Sequence, residues 1–268
     1  MPGGFGHRGT EGMVLAAKRA RENKIPFLGI CLGFQVAVME YARNVCGFEG
    51  EFLLNCLYPH SLIYSGAIST EFEEATKHPV IIYMPEISKT HMGGTMRLGL
   101  RPTVFVSGSE DWSIARKLYG GREKIWERHR HRYEVSPQYI EQLRAGGQLE
   151  FVGRDEKGER MQVLELRGTN RSETEISAAL NSVIDHPFYL GFQAHPEFCT
   201  RPLNPSPPFL GFIAAASGQK VLSQQLEMQL TSFKPPHPEG VMVSELELQE
   251  LGKGAKVIGT EVIVNGKD

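Results

Sequence analysis

Apolar and polar positions along the chain follow two periods. Over Glu11–Asn23, Met13, Leu15, Ala16, Ala17 and Ala20 fall among Lys18, Arg19, Arg21 and Glu22. This spacing predicts a short amphipathic helix, with Thr10 as its expected N-cap and Lys24-Ile25-Pro26 as its stop. Phe27-Leu28-Gly29-Ile30 is a brief apolar run of strand type. From Leu32 to Val45 the positions Leu32, Val36, Met39, Tyr41, Ala42 and Val45 fit a buried helix, so Cys31 stands at a strand-to-helix corner. Further strands are predicted at Val80–Met84, Thr103–Val106, Leu149–Val152, Gln162–Leu166 and Phe188–Ala194, and helices at Trp112–Tyr119, Gln138–Ala145 and Phe209–Ala216. Strands alternating with helices predict an α/β sheet. Three stretches fall outside the pattern: Glu51–Gly66, apolar and unperiodic; Gly168–Ser182, polar and rich in Ser and Thr; and Lys234–Asp268, which follows a Pro-rich break and reads as a tail.

With 268 residues the chain is long enough for a substantial core. Its 29 Lys and Arg nearly balance 31 Asp and Glu, so nothing in the overall charge calls for a nucleic-acid partner. The apolar stretches are cut by Gly, Pro or Gln and fall short of a bilayer span, and Met1-Pro2-Gly3-Gly4-Phe5-Gly6 has the look of neither a signal nor a transit peptide. A cytoplasmic protein with no membrane partner is expected. Four irregularly spaced cysteines, Cys31, Cys46, Cys56 and Cys199, suit neither a disulfide framework nor a four-thiolate zinc site.

Gly29-Ile30-Cys31-Leu32-Gly33 has the spacing of a nucleophile elbow, in which a sharp strand-to-helix turn exposes the central side chain. A thiol there faces the unpaired N–H groups of a helix N-terminus, surroundings that favour thiolate. At the end of the last predicted strand comes Gln193-Ala194-His195-Pro196-Glu197. If strand geometry carries through the Pro, residues 195 and 197 share one face about 7 Å apart, so Glu197 can orient the imidazole of His195. Thiol, imidazole and carboxylate together make the Cys-His-Glu form of an acyl-transfer triad. The glycine loop Pro2–Gly6 can aim backbone N–H groups at a developing oxyanion, with the Leu32 N–H as second donor. Taken singly, each signal has a plain rival: a buried free cysteine, a structural histidine, an ordinary glycine turn. For Arg128–Arg132 the rivals are a solvated or nucleic-acid-binding basic patch, and for His129, His131 and His195 a zinc set that lacks a matching cysteine or carboxylate pattern.

In this order, Pro2–Gly6, Gly29–Gly33 with Gln35, and His195-Pro196-Glu197 resemble the class I, triad-type glutamine amidotransferases. Met92–Gly99 (MGGTMRLG), Glu127–Val135 (ERHRHRYEV) and the Ser206-Pro207-Pro208 region after Arg201-Pro202 look like the amidotransferase half of the CTP synthases. The resemblance implies a flavodoxin-like mixed sheet flanked by helices and lacking its first strands. It also implies an amidotransferase domain over residues 1–232, with insertions near 51–66 and 168–182, and a partly disordered tail over 233–268. The activity implied is hydrolysis of L-glutamine to glutamate and ammonia, for ATP-dependent amination of UTP. Catalysis would fall to Cys31, His195 and Glu197, the oxyanion to Gly4 and Leu32, and substrate contacts to Gly4, Leu32, Gly33, Phe34, Gln35, Glu71 and Arg132. Free glutamine is a zwitterion, and an acid and a base such as Glu71 and Arg132 suit its two charges.

No metal or cofactor is expected in this chain. ATP, Mg2+ and UTP belong by the resemblance to a synthetase domain not found in these residues, which contain no phosphate-binding loop, and GTP to activation of a homo-oligomeric parent enzyme. The alternative is a non-catalytic truncated or regulatory fragment that associates with full-length enzyme. An unrelated cysteine hydrolase would leave Met92–Gly99 and Glu127–Val135 unexplained.

Overall fold

The computed structural model describes residues 1–48, 66–84, 96–167, 186–219 and 233, together with the backbone of four short strands at 52–54, 62–64, 255–258 and 261–264. In chain order the elements are α1 (Thr10–Glu22), β1 (Phe27–Ile30), α2 (Leu32–Asn44), β2 (Phe52–Leu54), β3 (Leu62–Tyr64), β4 (Ile68–Ser69), β5 (Pro79–Tyr83), β6 (Arg97–Phe105), α3 (Ile114–Leu118), β7 (Lys124–His131), β8 (Tyr133–Val135), α4 (Ile140–Ala145), β9 (Leu149–Arg154), β10 (Met161–Leu166), β11 (Tyr189–Phe192), α5 (Pro207–Ala216), β12 (Ala255–Ile258) and β13 (Glu261–Val264).

Six strands form the main sheet in the order β1-β11-β10-β9-β6-β7. The β1–β11 pair is parallel and its neighbours are antiparallel, so the sheet is mixed. Side chains alternate across it. Phe27, Tyr189, Leu164 and Leu166 enter a core shared with α1 and α2, while Leu28, Ile30, Leu190, Phe192 and Val163 enter a second core with α3 and α5. Helices thus cover both faces, which is why β1 and β11 are apolar throughout rather than alternating. Helix α2 runs between sheet, α1 and α4 with every residue from Leu32 to Arg43 buried. A bidentate pair, Arg21 to Glu40 at 2.7–3.2 Å, fastens α1 to it. Met1 lies along the outer edge of β1, its amino group donating to Leu28 O at 2.7 Å and its carbonyl accepting from Ile30 N at 3.0 Å.

Several expectations shift. Gly9, at φ 78°, caps α1, and Thr10 is instead its first helical residue, with a hydroxyl that donates to His7 O. Strand β6 begins at Arg97, six residues before the apolar run that announced it. Strands β7 and β8 arise from the basic motif, in which no strand was expected. Helix α3 is confined to Ile114–Leu118, where the Ser113 side chain accepts from Arg116 N, and α5 starts earlier, on Pro207. Phe233, placed at the head of the tail, is buried, with its ring edge-on to Tyr119. Within Glu51–Gly66 the backbone forms the β2–β3 antiparallel pair, and near the end of the tail β12 and β13 form another. The remainder of the tail, Gly168–Ser182 and residues 92–95 of the MGGTMRLG motif lie outside the described residues.

Candidate active site

The parallel pairing of β1 with β11, in register Ile30↔Phe192, delivers both strand ends to one place. Cys31 leaves β1 at φ 52°, ψ −101°, the left-handed side where a non-glycine residue is strained by about 1–3 kcal/mol. Its N–H donates to Phe192 O at 2.7 Å, and it caps α2. The flanking glycines make this turn feasible. A Cβ on Gly29 would meet Gly33 O at 2.6 Å, and one on Gly33 would meet Met1 O at 2.5 Å.

His195 follows β11 and is tied to β7 by its N–H, which donates to Arg128 O at 2.7 Å. Its ring Nδ1 lies 2.6 Å from Glu197 Oε1, although Glu197 belongs to a short 3-10 turn, Pro196–Cys199, rather than to a continued strand. Nε2 is buried without a well-aligned hydrogen-bond partner among the described residues, on a ring that neighbours the Cys31 thiol. Burial disfavours the charged ring, yet hydrogen bonds and attraction to Cys31 and Glu197 carry His195 up to about 10. The ring therefore favours imidazolium at neutral pH.

Around the thiol, Gln193 Nε2 donates to Sγ at 3.8 Å, and Arg130 O lies 3.7 Å from it. Gln35 Nε2 bridges Gln193 Oε1 at 3.1 Å and Tyr133 O at 3.2 Å, so its amino group and the Gln193 amide together frame the site. Leu32 opens α2, and its N–H has no helical carbonyl behind it. The Gly4 Cα faces the Leu32 side chain closely enough that a Cβ would lie 3.2 Å from Leu32 Cδ2. Glu71 accepts from Gly6 N at 2.8 Å, anchoring the glycine loop. Burial pushes its carboxyl above the usual range, against the Gly6 bond and the attraction of Arg132. Arg132 joins β7 to β8, its carbonyl accepting from Met84 N at 2.9 Å. Of the residues singled out in the sequence, Cys31, His195, Glu197, Gly4, Leu32 and Gln35 thus gather at the ends of β1 and β11, with Glu71 at the loop and Arg132 near enough to attract its carboxylate. Phe34 is different: its side chain is fully buried behind the site, against Gly191 of β11.

Two further residues emerge from the folded arrangement. Gly3 sits so close that a Cβ there would fall 2.9 Å from His195 Cε1 and 3.3 Å from Cys31 Cβ. Gln193, two residues before His195, could have been found from strand periodicity, which puts 193 and 195 on one face. Among the described residues no three His, Cys, Asp or Glu side chains form a metal-binding group, and no helix is long and apolar enough to cross a membrane.

A family model described as glutamine amidotransferase class-I matches residues 1–215. Among curated proteins, CTP synthase of Schizosaccharomyces pombe is 43% identical over 260 residues, 96% of this chain and 38% of that protein. CTP synthase of Eremothecium gossypii is 51% identical over 219 residues, 81% of this chain and 32% of that protein. The chain therefore spans about a third of the length of these relatives. Among solved structures, the glutaminase domain of Trypanosoma brucei CTPS with bound acivicin superposes with a TM-score of 0.63 at 35% identity, covering 81% of this chain and 70% of that one.

Proposed function

Because this chain belongs to the class-I glutamine amidotransferase family, we propose that it is the glutaminase part of a CTP synthase, releasing from L-glutamine the ammonia used to aminate UTP. The observation that carries this reading is the His195 imidazole, held at 2.6 Å by Glu197 beside a thiol on a strained strand-to-helix corner. The Cys31 thiolate attacks the side-chain amide carbon, and the charge that gathers on the amide oxygen is received by the Gly4 and Leu32 N–H groups. The His195 imidazolium gives its proton to the nitrogen, which leaves as ammonia, and a γ-glutamyl thioester remains on Cys31. The now neutral ring takes a proton from water as the water attacks the thioester, and glutamate and free thiol are released with the ring's proton returned. Glu197 keeps the ring oriented throughout.

Glu71 and Arg132 suit the two charges of free glutamine, an acid for the ammonium and a base for the carboxylate. Gln35 and Gly33 line the same corner, and Phe34 contributes through its backbone. The amidotransferase unit would extend over residues 1–232 plus Phe233, which shares its core. Amination itself, with ATP, Mg2+ and UTP, would belong to a synthetase domain as partner, with GTP as activator and a homo-oligomeric enzyme in the cytoplasm as the setting.

The test is glutamate release by the full chain, together with labelling of Cys31 by a glutamine-like diazoketone. Release and labelling that both vanish in Cys31→Ala support the reading. A folded wild-type protein whose Cys31 stays unreactive toward the diazoketone overturns it.

A further inference from the structure

The inner face of β7 carries Ile125, Glu127, His129 and His131 at every second position, all buried. The two histidines bond one another, and His129 Nε2 is buried without a hydrogen-bond partner among the described residues. His131 Nδ1 faces Tyr133 O at 2.9 Å and must donate, so its Nε2 accepts from His129 Nδ1 at 3.1 Å. Burial, then the neighbouring positive groups, keeps both rings neutral, with His131 pushed down to about 3. Glu127 instead looks outward along the fold, toward the turn that bears the catalytic carboxylate. Its Oε1 accepts from Tyr119 Oη at 2.5 Å, and its Oε2 accepts from Cys199 Sγ at 3.4 Å.

Cys199 is the last residue of the Pro196–Cys199 turn. The residue just before that turn, His195, is fixed to β7 through its N–H to Arg128 O, one position along the strand from Glu127. The turn is consequently pinned to β7 at both ends, and from its middle Glu197 reaches back to His195 Nδ1. Tyr119 is itself immobilised, fully buried among the rings of Phe105, Phe192 and Phe233.

We propose that Glu127 is a positioning residue of the active site: anchored by Tyr119, it grips Cys199 and thereby holds the turn that presents Glu197 to His195. The inference rests on Cys31, His195 and Glu197 being the catalytic set. The chemistry of the pair suits a clamp. Burial raises Glu127 to about 7, opposed by its bonds from Tyr119 and Cys199 and assisted by the charge of Glu197. Burial and the neighbouring Glu127 charge push the Cys199 thiol up to about 12, so it remains a donor at every pH of interest. A thiol that stays protonated keeps the S–H that Glu127 Oε2 accepts.

The experiment compares wild type with Cys199→Ala, Cys199→Ser and Glu127→Gln in the full chain. It follows glutaminase kcat and KM and the titration of His195, read by NMR with 13C-labelled histidine. Cys199→Ala removes one donor with little change of volume. It should lower kcat roughly tenfold, since catalytic groups displaced by a fraction of an ångström lose rate on this scale, with KM within about twofold. The His195 titration should move down from about 10 toward its ordinary 6.5 as Glu197 swings away. Cys199→Ser restores a donor and should restore both readouts, which a purely packing role would not require. Glu127→Gln leaves one carbonyl oxygen where the carboxylate offered two, so it weakens the grip on Tyr119 and Cys199 and should shift both readouts in the same direction as Cys199→Ala. Folded Cys199→Ala with wild-type kcat and His195 titration overturns the proposal, and if Glu127→Gln does not fold, the Cys199 pair decides. A Cys31→Ala protein that still releases glutamate would sink the catalytic reading itself. An inactive Cys31→Ala beside an unaffected Cys199→Ala would sink the clamp alone.

Discussion

Gly3→Ala adds a single methyl group at the point where the glycine loop crosses Cys31 and His195. Gly3 is not among the glycines with positive φ, so its backbone accepts alanine and the effect is purely steric. The new Cβ would sit 2.9 Å from His195 Cε1. Carbon atoms rest at about 3.5–4.0 Å, so ring and loop must part by about 0.6–1.1 Å. The ring has little freedom to give, because Nδ1 is held at 2.6 Å by Glu197, and Cys31 Cβ lies 3.3 Å from the same added carbon. A displacement near 1 Å costs about a hundredfold in rate, or about 2.7 kcal/mol of barrier, while overpacking costs about 1–3 kcal/mol of stability. Glutamate release should fall accordingly, with alkylation of Cys31 by iodoacetamide slowed in parallel. Gly9→Ala is the matched control. Its φ of 78° strains an alanine, but no atom lies within 4 Å of the added carbon, so it should lose stability of about 1 kcal/mol and keep its rate. Gly3→Ala protein with kcat/KM within twofold of wild type would refute the steric account.

Three further outcomes follow from the charges. His195 is raised to about 10, so the stability from its charged form is complete below its ordinary 6.5 and is lost as pH climbs through 10. Cys31→Ala removes a group that raises it, and the NMR titration of the ring should then move down. Glu165 is raised to about 7 by burial, against bonds from Ala115 N and the Ser113 hydroxyl. Relative to Glu165→Gln, the wild type should therefore lose stability as pH rises from 4.5 through 7, as urea unfolding at pH 5 and pH 8 would show. Glu40→Ala strands the buried Arg21 and should cost about 3–5 kcal/mol in the same unfolding assay, whereas an effect below 1 kcal/mol would mean that the pair is not holding α1 on α2.

The elbow, α2 and β11 were legible because apolar runs and flanking glycines mark them without reference to anything distant. Strand β7 was not, because three of its four buried positions are Glu127, His129 and His131 and only Ile125 is aliphatic, and a period of two written mostly in polar side chains reads as a basic surface. The reason for Gly3 is equally hidden, since the atom that forbids a side chain there belongs to a histidine far along the chain. Thr10 was chosen as a cap by residue type, whereas Gly9 takes that place because it alone adopts φ 78° without strain. Phe233 is a lone aromatic beside a Pro-rich break, and only the Tyr119 ring it meets explains its burial.

The strands that lead to thiol and imidazole are neighbours in space, but Gln193, which donates to the thiol, follows Cys31 by 162 positions in the chain. On a ribosome adding about 5–20 residues each second, that gap lasts roughly ten to thirty seconds. Throughout that interval the emerging cysteine has no partner to activate it, and the growing polypeptide carries its nucleophile unarmed until the penultimate layer of the sheet slides into place.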